Sequence, residues 1–566
     1  MEKLSKDADS DALPCGAGAS ESMQSAGRPN ASFHTNSRPA EVEGLSDSRI
    51  GTPVMFHYHR KFDLLFLVLL SACVRLLVCV FAINEPGDAD ARLVTAAEWA
   101  LHPRLICSGL WLPFHYYAMG TLMFVIRDPL TAGKALSFAT GTLTVLPFFF
   151  LTKVLFDRRT AVVAGVFLAI YGTHVGLSAT TLSEAPFGLL SVWAIYHFFR
   201  GMSADTKRKA HFFWSALLLA LAGGFRQEAW QLTGILSILL LFSPATRKFA
   251  IPFALLGLST FFLWTLGNTL ANKGVSYSLL AVARQKQFEK PYFGKGVLHN
   301  LVKWVWIFVR SPGPIISVLA LFGLYGVTKS RRNPAMLALI AALLLGPYVV
   351  LSVVRSEWIP THRHTFLFGI LILPFAARAL LDICKNRQSL LAPVALVVIA
   401  SIVSQAGAFG RHSRLHLPVR DYHATDIDTW KWLAANTGAD DRVLVEDSDW
   451  NAYGIILHSG LYKGEYAVAY ARQDEAKLRQ IVDATRPTML VIHLPLSRWK
   501  FLEENSHLVV LHRNQDYVIG RLEPRSDVSR ALGKEGVPSS TASQPLSSSK
   551  RLQTAPTSEP ARPRMR

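Results

Sequence analysis

Residues 62–99 read FDLLFLVLLSACVRLLVCVFAINEPGDADARLVTAAEW, an apolar run of about membrane-crossing length that holds Asp63 and Arg75 and ends in the acidic stretch GDADAR. Crossing the hydrocarbon of a bilayer takes about 20 predominantly apolar residues. The run follows the basic stretch HYHRK, so it reads as an uncleaved signal anchor whose N-terminal side stays in the cytoplasm. The rest of the chain has the same character. Of its 566 residues half are hydrophobic and 17% are charged, against about 25% charged in an ordinary soluble domain. Its mean hydropathy is +0.26. No aqueous surface fits that composition, and the chain is expected to be a polytopic α-helical membrane protein. The 59 Lys and Arg outnumber the 40 Asp and Glu, giving +19; in a membrane protein such a surplus belongs first to cytoplasmic loops, and no nucleic-acid partner is expected. The five cysteines (Cys15, Cys73, Cys79, Cys107 and Cys384) are scattered, which excludes a disulfide scaffold and a Cys-x-x-Cys metal site.

Runs of suitable length fall at about 62–83, 133–155, 160–178, 182–199, 210–225, 229–243, 249–271, 308–327, 335–354, 365–382 and 390–409. They predict about 11 spans, or 13 if long segments are split. Starting from the cytoplasm, the inner connections become DRR (157–159), RGMSADTKRK (200–209), SPATRK (243–248), TKSRR (328–332) and CKNR (384–387), all basic. The short outer connection SATTLSE (178–184) has no Lys or Arg and GGFRQE (223–228) has one, the pattern expected of a positive-inside topology. A span through LWLPFHYYAMGTLMFVI (110–126) would invert this order, so that segment is expected to lie as a helix in the membrane interface.

These runs set the domain layout. Residues 1–56 and 524–566 are expected to be disordered, the former as a cytoplasmic tail. Residues 57–410 form the membrane module, with long external loops at 84–132 and 272–307. Residues 411–523 form a small extracytoplasmic α/β domain, in which helical stretches (TDIDTWKWLAANTG, EAKLRQIVDATR) alternate with RVLVED, EYAVAY, TMLVIH, HLVVLHR and DYVIGRL. Its sheet is expected to be largely parallel. It has no glycine-rich phosphate loop, so no nucleotide site is implied.

The charges that interrupt the apolar pattern are the candidates for chemistry. Asp88 and Asp90 lie just beyond the first span, where a carboxylate can act as a general base or hold a metal, or can simply be a solvated loop charge. Glu184 is the one Asp, Glu, Lys or Arg between Arg159 and Arg200; it either caps a helix or lines a polar cavity. Arg226 and Glu228 form a structural ion pair across a tight turn, or Arg226 holds a phosphate. Arg75 lies inside the first span and either snorkels outward or pairs with a carboxylate or lipid phosphate. The 272–307 loop carries Lys273, Arg284, Lys286, Lys290 and Lys295 among Tyr277, Tyr292 and Phe293, followed by Trp304, Trp306 and Arg310. Such a mixture anchors a loop to headgroups or grips an anionic lipid. In RSEWIPTHRHTF (355–366), Arg355, His362, Arg363 and His364 cluster; three metal ligands of suitable geometry are not evident, and phosphate contact by Arg363 is the sharper reading.

Together these features resemble the GT-C superfamily of membrane glycosyltransferases, and within it the protein O-mannosyltransferase and aminoarabinose-transferase-like group, over about residues 60–410. GDADAR resembles the first-loop acidic motif, which makes Asp88 the preferred catalytic base with Asp90 as its alternative. GLWLPFHYY is similar to the interface segment, with Phe114 and His115 after Pro113, and His115 is placed in the cavity with Glu184, Arg226, Glu228 and Arg75. GFRQEAW resembles an Arg-x-Glu segment, and THRHTFLFGILILPF an Arg-Tyr motif with His364 in place of the aromatic. The first loop lacks the Asp-Glu dipeptide of the mannosyltransferases proper.

The resemblance implies a single inverting displacement. Asp88 takes the proton of the acceptor hydroxyl while the lipid phosphate departs, met by Arg226, Arg363, His362, Arg310, Lys286 or Lys290. The implied donor is a polyprenyl- or dolichyl-phosphate sugar, with no other cofactor and no required divalent metal. The implied partners are that donor, an acceptor glycan, lipid or protein, and membrane lipids. The expected location is a bacterial inner membrane. Two other classes fit some of the same residues: a transporter or flippase for a lipid-linked or anionic solute, and a non-catalytic scaffold.

Overall fold

The computed structural model describes residues 59–81, 87–109, 111–203, 206–271, 296–328, 332–353, 362–385, 391–409, 423–447, 451–470, 473–494, 499–502 and 506–524. The expectations for both tails, for Lys273, Arg284, Lys286, Lys290, Lys295 and Arg355, and for the side chain of His362 lie outside the described residues. Contacts divide the chain into Met1–His57 and Tyr58–Arg566; the described residues all belong to the second unit.

Seventeen described α-helices precede the C-terminal portion: α1 (His59–Phe81), α2 (Gly87–Leu101), α3 (Phe114–Met123), α4 (Pro129–Leu143), α5 (Val145–Leu155), α6 (Arg158–Ile170), α7 (Gly172–Ser178), α8 (Glu184–Ser203), α9 (Arg208–Gly223), α10 (Glu228–Leu241), α11 (Ala250–Gly257), α12 (Ser259–Ala271), α13 (Gly296–Arg310), α14 (Pro314–Thr328), α15 (Arg332–Val353), α16 (Phe366–Ile383) and α17 (Leu391–Phe409). Four stretches are long and apolar enough to cross a membrane unaided: Phe62–Cys79, Pro129–Leu155, Asn333–Val353 and Arg363–Ile383. The count becomes seven if three bent pairs each make one crossing, namely α6 with α7 (56°), Arg247–Gly257 with α12 (40°) and α13 with α14 (95°). The remaining predicted segments fall on α8, α9, α10 and α17.

One predicted segment is corrected. The run at 308–327 begins in the last turn of α13 and passes through the 95° bend before α14. Pro312 and Pro314 supply no amide donor there, and Gly313 takes φ 96°, so the helix ladder stops although the apolar sequence continues. The same geometry corrects Trp304, expected to be an interface anchor: it is fully buried against Ile307 and Leu345, while Trp306 is exposed.

The interior of the bundle is aromatic and aliphatic, with Leu67, Phe148, Phe167, Phe187, Phe198, Phe199, Phe366 and Phe375 buried. Its outside is equally apolar: Leu69, Leu77, Leu263, Leu270, Val302, Leu321 and Val403 are exposed. In water that would be an aggregating surface; in lipid it is the expected one. At one end of α1, Asp63 accepts from Arg158 Nε at 2.7 Å, and Asp157, which caps α6, accepts from Arg378 at 3.1 Å. Asp157 and Arg158 lie in the connection DRR read as cytoplasmic, and Asp63 and Arg378 near the ends of the predicted spans on that side. The other end of α1, about 34 Å away at 1.5 Å per residue over 23 residues, is the one that precedes Asp88 in sequence.

The C-terminal portion comprises α18 (Ala424–Asn436), β1 (Arg442–Asp447), α19 (Asn451–Ser459), β2 (Glu465–Tyr470), α20 (Glu475–Thr485), β3 (Met489–His493), β4 (Ser506–Arg513) and β5 (Tyr517–Pro524). All five sequence-predicted strands are present, in the order β2-β1-β3-β5-β4. The sheet is mixed rather than largely parallel: β1 runs parallel to β2 and β3, whereas β5 is antiparallel to both β3 and β4. Three residues join β4 to β5, too few for anything but a hairpin. Helix α19 was not predicted. Most of its residues, including Asn451, Ala452, Ile455 and Ile456, are buried, so it lacks the polar face that periodicity reads.

Candidate active site

The local sequence turns the acidic stretch into a helix. GDADAR is the first turn and a half of α2 rather than a loop, and Asp88 and Asp90 stand in its first turn, where negative charge meets the positive end of the helix. The spacing of four then places Arg92 beside Asp88, with Arg92 Nε 3.7 Å from Asp88 Oδ2. The interface segment forms α3 only over Phe114–Met123, with His115, Tyr116, Met119, Gly120 and Met123 buried. Its start is tied to the α9–α10 turn, because the Phe114 amide donates to the Gly224 carbonyl at 3.1 Å.

Four connections read as external converge through charge. Arg363, in the 3-10 turn His362–Thr365, donates from NH1 to Asp88 Oδ2 at 3.0 Å and from Nε to Glu184 Oε1 at 2.5 Å. Arg226 donates from NH1 to the same Glu184 oxygen at 2.5 Å, and from Nε and NH2 to Glu228 at 3.0 and 2.5 Å. The result is a continuous alternation, Arg92–Asp88–Arg363–Glu184–Arg226–Glu228, of three carboxylates and three guanidiniums. Glu184 is fully buried; it opens α8 yet spends its charge on two arginines rather than on the helix end. The Arg226–Glu228 pair anticipated from sequence is present, and Arg226 also bridges to Glu184.

The surroundings tune these groups. Burial would lower the Arg226 guanidinium, but Glu184 and Glu228 outweigh it and hold Arg226 above its ordinary value. Burial pushes His115 well below the usual histidine range, reinforced by Arg92, so the ring is neutral at neutral pH. Arg92 is lowered by burial, opposed by Asp88, and lies over the Trp111 ring at 5.0 Å. Among the described residues several buried polar atoms have no hydrogen-bond partner: Asp88 Oδ1, Glu184 Oε2, Ser183 Oγ and both ring nitrogens of His115. A pocket opens beside the cluster, lined by Phe187, Arg226, Glu228, Tyr348, Arg363 and His364 among others, with the Tyr348 and His364 rings stacked at 4.8 Å.

Other candidates stand elsewhere. Asp90 is buried, two residues along α2. Arg75 does not snorkel and meets no carboxylate among the described residues: it is fully buried and donates to Ser71 O and Oγ at 3.0 and 2.6 Å, with His174 as a further partner. Arg310 is exposed and lies over the Trp306 ring at 4.5 Å. Among the described residues no group of three or more His, Cys, Asp or Glu is placed to hold a metal ion; the carboxylates of the cluster face guanidiniums instead. Sequence reading missed Arg92, whose signal was its i+4 spacing from Asp88, and Tyr348, which carries no such signal within an apolar run.

Comparison with known proteins agrees with the architecture. Residues 102–268 match the family model described as dolichyl-phosphate-mannose-protein mannosyltransferase; that stretch holds His115, Glu184, Arg226 and Glu228. The fold is that of the GT-C membrane glycosyltransferases. ArnT from Cupriavidus metallidurans, solved bound to undecaprenyl phosphate, is 12% identical with a TM-score of 0.57, covering 81% of this chain and 98% of ArnT. The oligosaccharyltransferase AglB from Archaeoglobus fulgidus, solved with an inhibitory peptide and a dolichol-phosphate, is 13% identical with a TM-score of 0.53, covering 80% and 71%. No curated protein matches the chain by sequence.

Proposed function

We propose that the chain is an inverting glycosyltransferase that moves a sugar from a polyprenyl or dolichyl phosphate to an acceptor on the extracytoplasmic side of the membrane. The observation that carries this reading is Asp88: one carboxylate oxygen is held by Arg363 while the other, buried, has no hydrogen-bond partner among the described residues. The free oxygen takes the proton of the acceptor hydroxyl as the acceptor oxygen bonds to the anomeric carbon and the bond from that carbon to the phosphate oxygen breaks. The departing phosphate carries the negative charge, which Arg226 and Arg363 meet in this reading. Asp90 is the alternative base, and the lysines of the 272–307 loop are further candidates for the phosphate. The guanidiniums supply the positive charge this chemistry needs, so the reading calls for no divalent metal.

The membrane module at 57–410 crosses 11 times in this reading, with residues 1–56 in the cytoplasm and the domain at 411–523 outside. The ArnT and AglB structures with bound polyprenyl phosphates support the donor class. Mass spectrometry of lipids that copurify with the protein tests it. A polyprenyl phosphate or its glycosylated form is expected to be enriched over the bulk membrane lipids, and a bound fraction identical to the bulk membrane counts against the donor.

A further inference from the structure

His115 is the second residue of α3, and its ring is fully buried, with no hydrogen-bond partner on either nitrogen among the described residues. A buried polar group left this way costs folding free energy, so it calls for a ligand or another specific cause. Its ring packs edge-on to Phe225 with centroids 6.3 Å apart, and the neighbouring Phe114 amide donates to Gly224. Both partners belong to the turn that carries Arg226, so the ring lies beside the cluster. Two more buried atoms of the cluster, Asp88 Oδ1 and Glu184 Oε2, and Oγ of the adjoining Ser183 have no hydrogen-bond partner among the described residues.

These atoms divide by chemistry from the guanidiniums beside them. Two are carboxylate oxygens, which accept hydrogen bonds and repel a phosphate; Ser183 offers a hydroxyl, and a neutral imidazole offers one donor and one acceptor. That set complements the hydroxyls of a sugar, whereas Arg226 and Arg363 complement the phosphate that carries it. We infer that His115 is a specificity residue that hydrogen-bonds a hydroxyl of the donor sugar, as a neutral partner and not as a base. The inference rests on the glycosyltransferase reading above.

The test measures equilibrium binding to the purified full chain in nanodiscs. The probes are dolichyl-phosphate mannose, undecaprenyl-phosphate aminoarabinose and the corresponding sugar-free lipid phosphates. Wild type is expected to bind at least one glycosylated lipid more tightly than its bare phosphate. His115→Phe should weaken that glycosylated lipid by about ten- to hundredfold while leaving the bare phosphate within about twofold. His115→Gln, which keeps an amide donor and acceptor, should recover part of the loss. The inference is overturned if His115→Phe binds the sugar-bearing lipid as wild type does, or if it loses both lipids in parallel, as a merely structural residue would. A wild type that binds neither kind of lipid removes the glycosyltransferase reading, and this inference with it.

Discussion

At the residue scale the chemistry turns on how Asp88 is held. Arg363 at 3.0 Å and Arg92 at 3.7 Å share its Oδ2 and leave Oδ1 open. Asp88→Asn keeps the shape and removes the base, so sugar transfer should fall by roughly a hundred- to ten-thousandfold with folded yield unchanged. If Asp90→Asn suffers that loss and Asp88→Asn does not, the base is Asp90. Glu184 plays a different part. It balances two arginines from full burial, so Glu184→Gln leaves Arg226 and Arg363 sharing too little negative charge and should destabilise the protein by roughly 3–5 kcal/mol; an unchanged midpoint in thermal unfolding in detergent would sink this. Asp88, Glu184, Arg226, Glu228 and Arg363 could each be named from sequence because each breaks an apolar pattern at an external turn. The pairing between them could not, since residues 88 and 363 are joined only by the packing of the helices between them. Arg75 shows the converse: its charge stood out, but Ser71 and His174, its partners, carry no charge to announce them.

At the scale of elements, α2 is the piece that joins the two halves of the described structure. Its first two turns carry Asp88 and Arg92, while Leu93, Val94, Ala96 and Ala97 share one hydrophobic core with Ile455 and Ile456 of α19 and with Val443 and Val445 of β1. Tyr466 of β2 also donates to Glu98 near the end of α2. The C-terminal sheet therefore buttresses the helix that presents the proposed base. Ile456→Ala, at a fully buried position, should cost about 2–5 kcal/mol and lower transfer, because the cavity it opens lies under α2; hydrogen exchange should rise across 88–97, and unchanged exchange there would contradict the coupling. The α3 contact offers a second check. A Cβ at Gly224 would run into the Phe114 ring, whereas nothing lies near one at Gly234. Gly224→Ala should thus impair transfer, while Gly234→Ala, inside a helix, should be neutral or stabilise by about 0.5–1 kcal/mol. Equal effects of the two would refute the clamp. The helices and strands were largely legible in the sequence because periodicity reports exposure. Helix α2 was read as loop because acidic first-turn residues look like loop charges, and α19 was missed because it is buried almost all round.

At the scale of the molecule, the charge surplus and the charged cluster are separate matters. The cluster is neutral in sum, three acids against three arginines, so the +19 lies elsewhere; the connections read as cytoplasmic hold much of it, where it sets orientation. One neutral yet highly polar site at one end of an apolar bundle suits transfer of a charged lipid's sugar: it gives countercharge for the phosphate without a net field that traps it. In the proposed reading the arginines supply the countercharge, and chelation with EDTA should leave transfer unchanged; loss of activity restored by a divalent cation would overturn that part. The most direct test of the central claim is transfer by the purified protein in liposomes, supplied with radiolabelled dolichyl- and undecaprenyl-phosphate sugars and a total extract of acceptors. Wild type should move label from the lipid to an acceptor with inversion at the anomeric carbon, and Asp88→Asn should not. Label that stays on the lipid with every donor, or that moves equally well with Asp88→Asn, would contradict it.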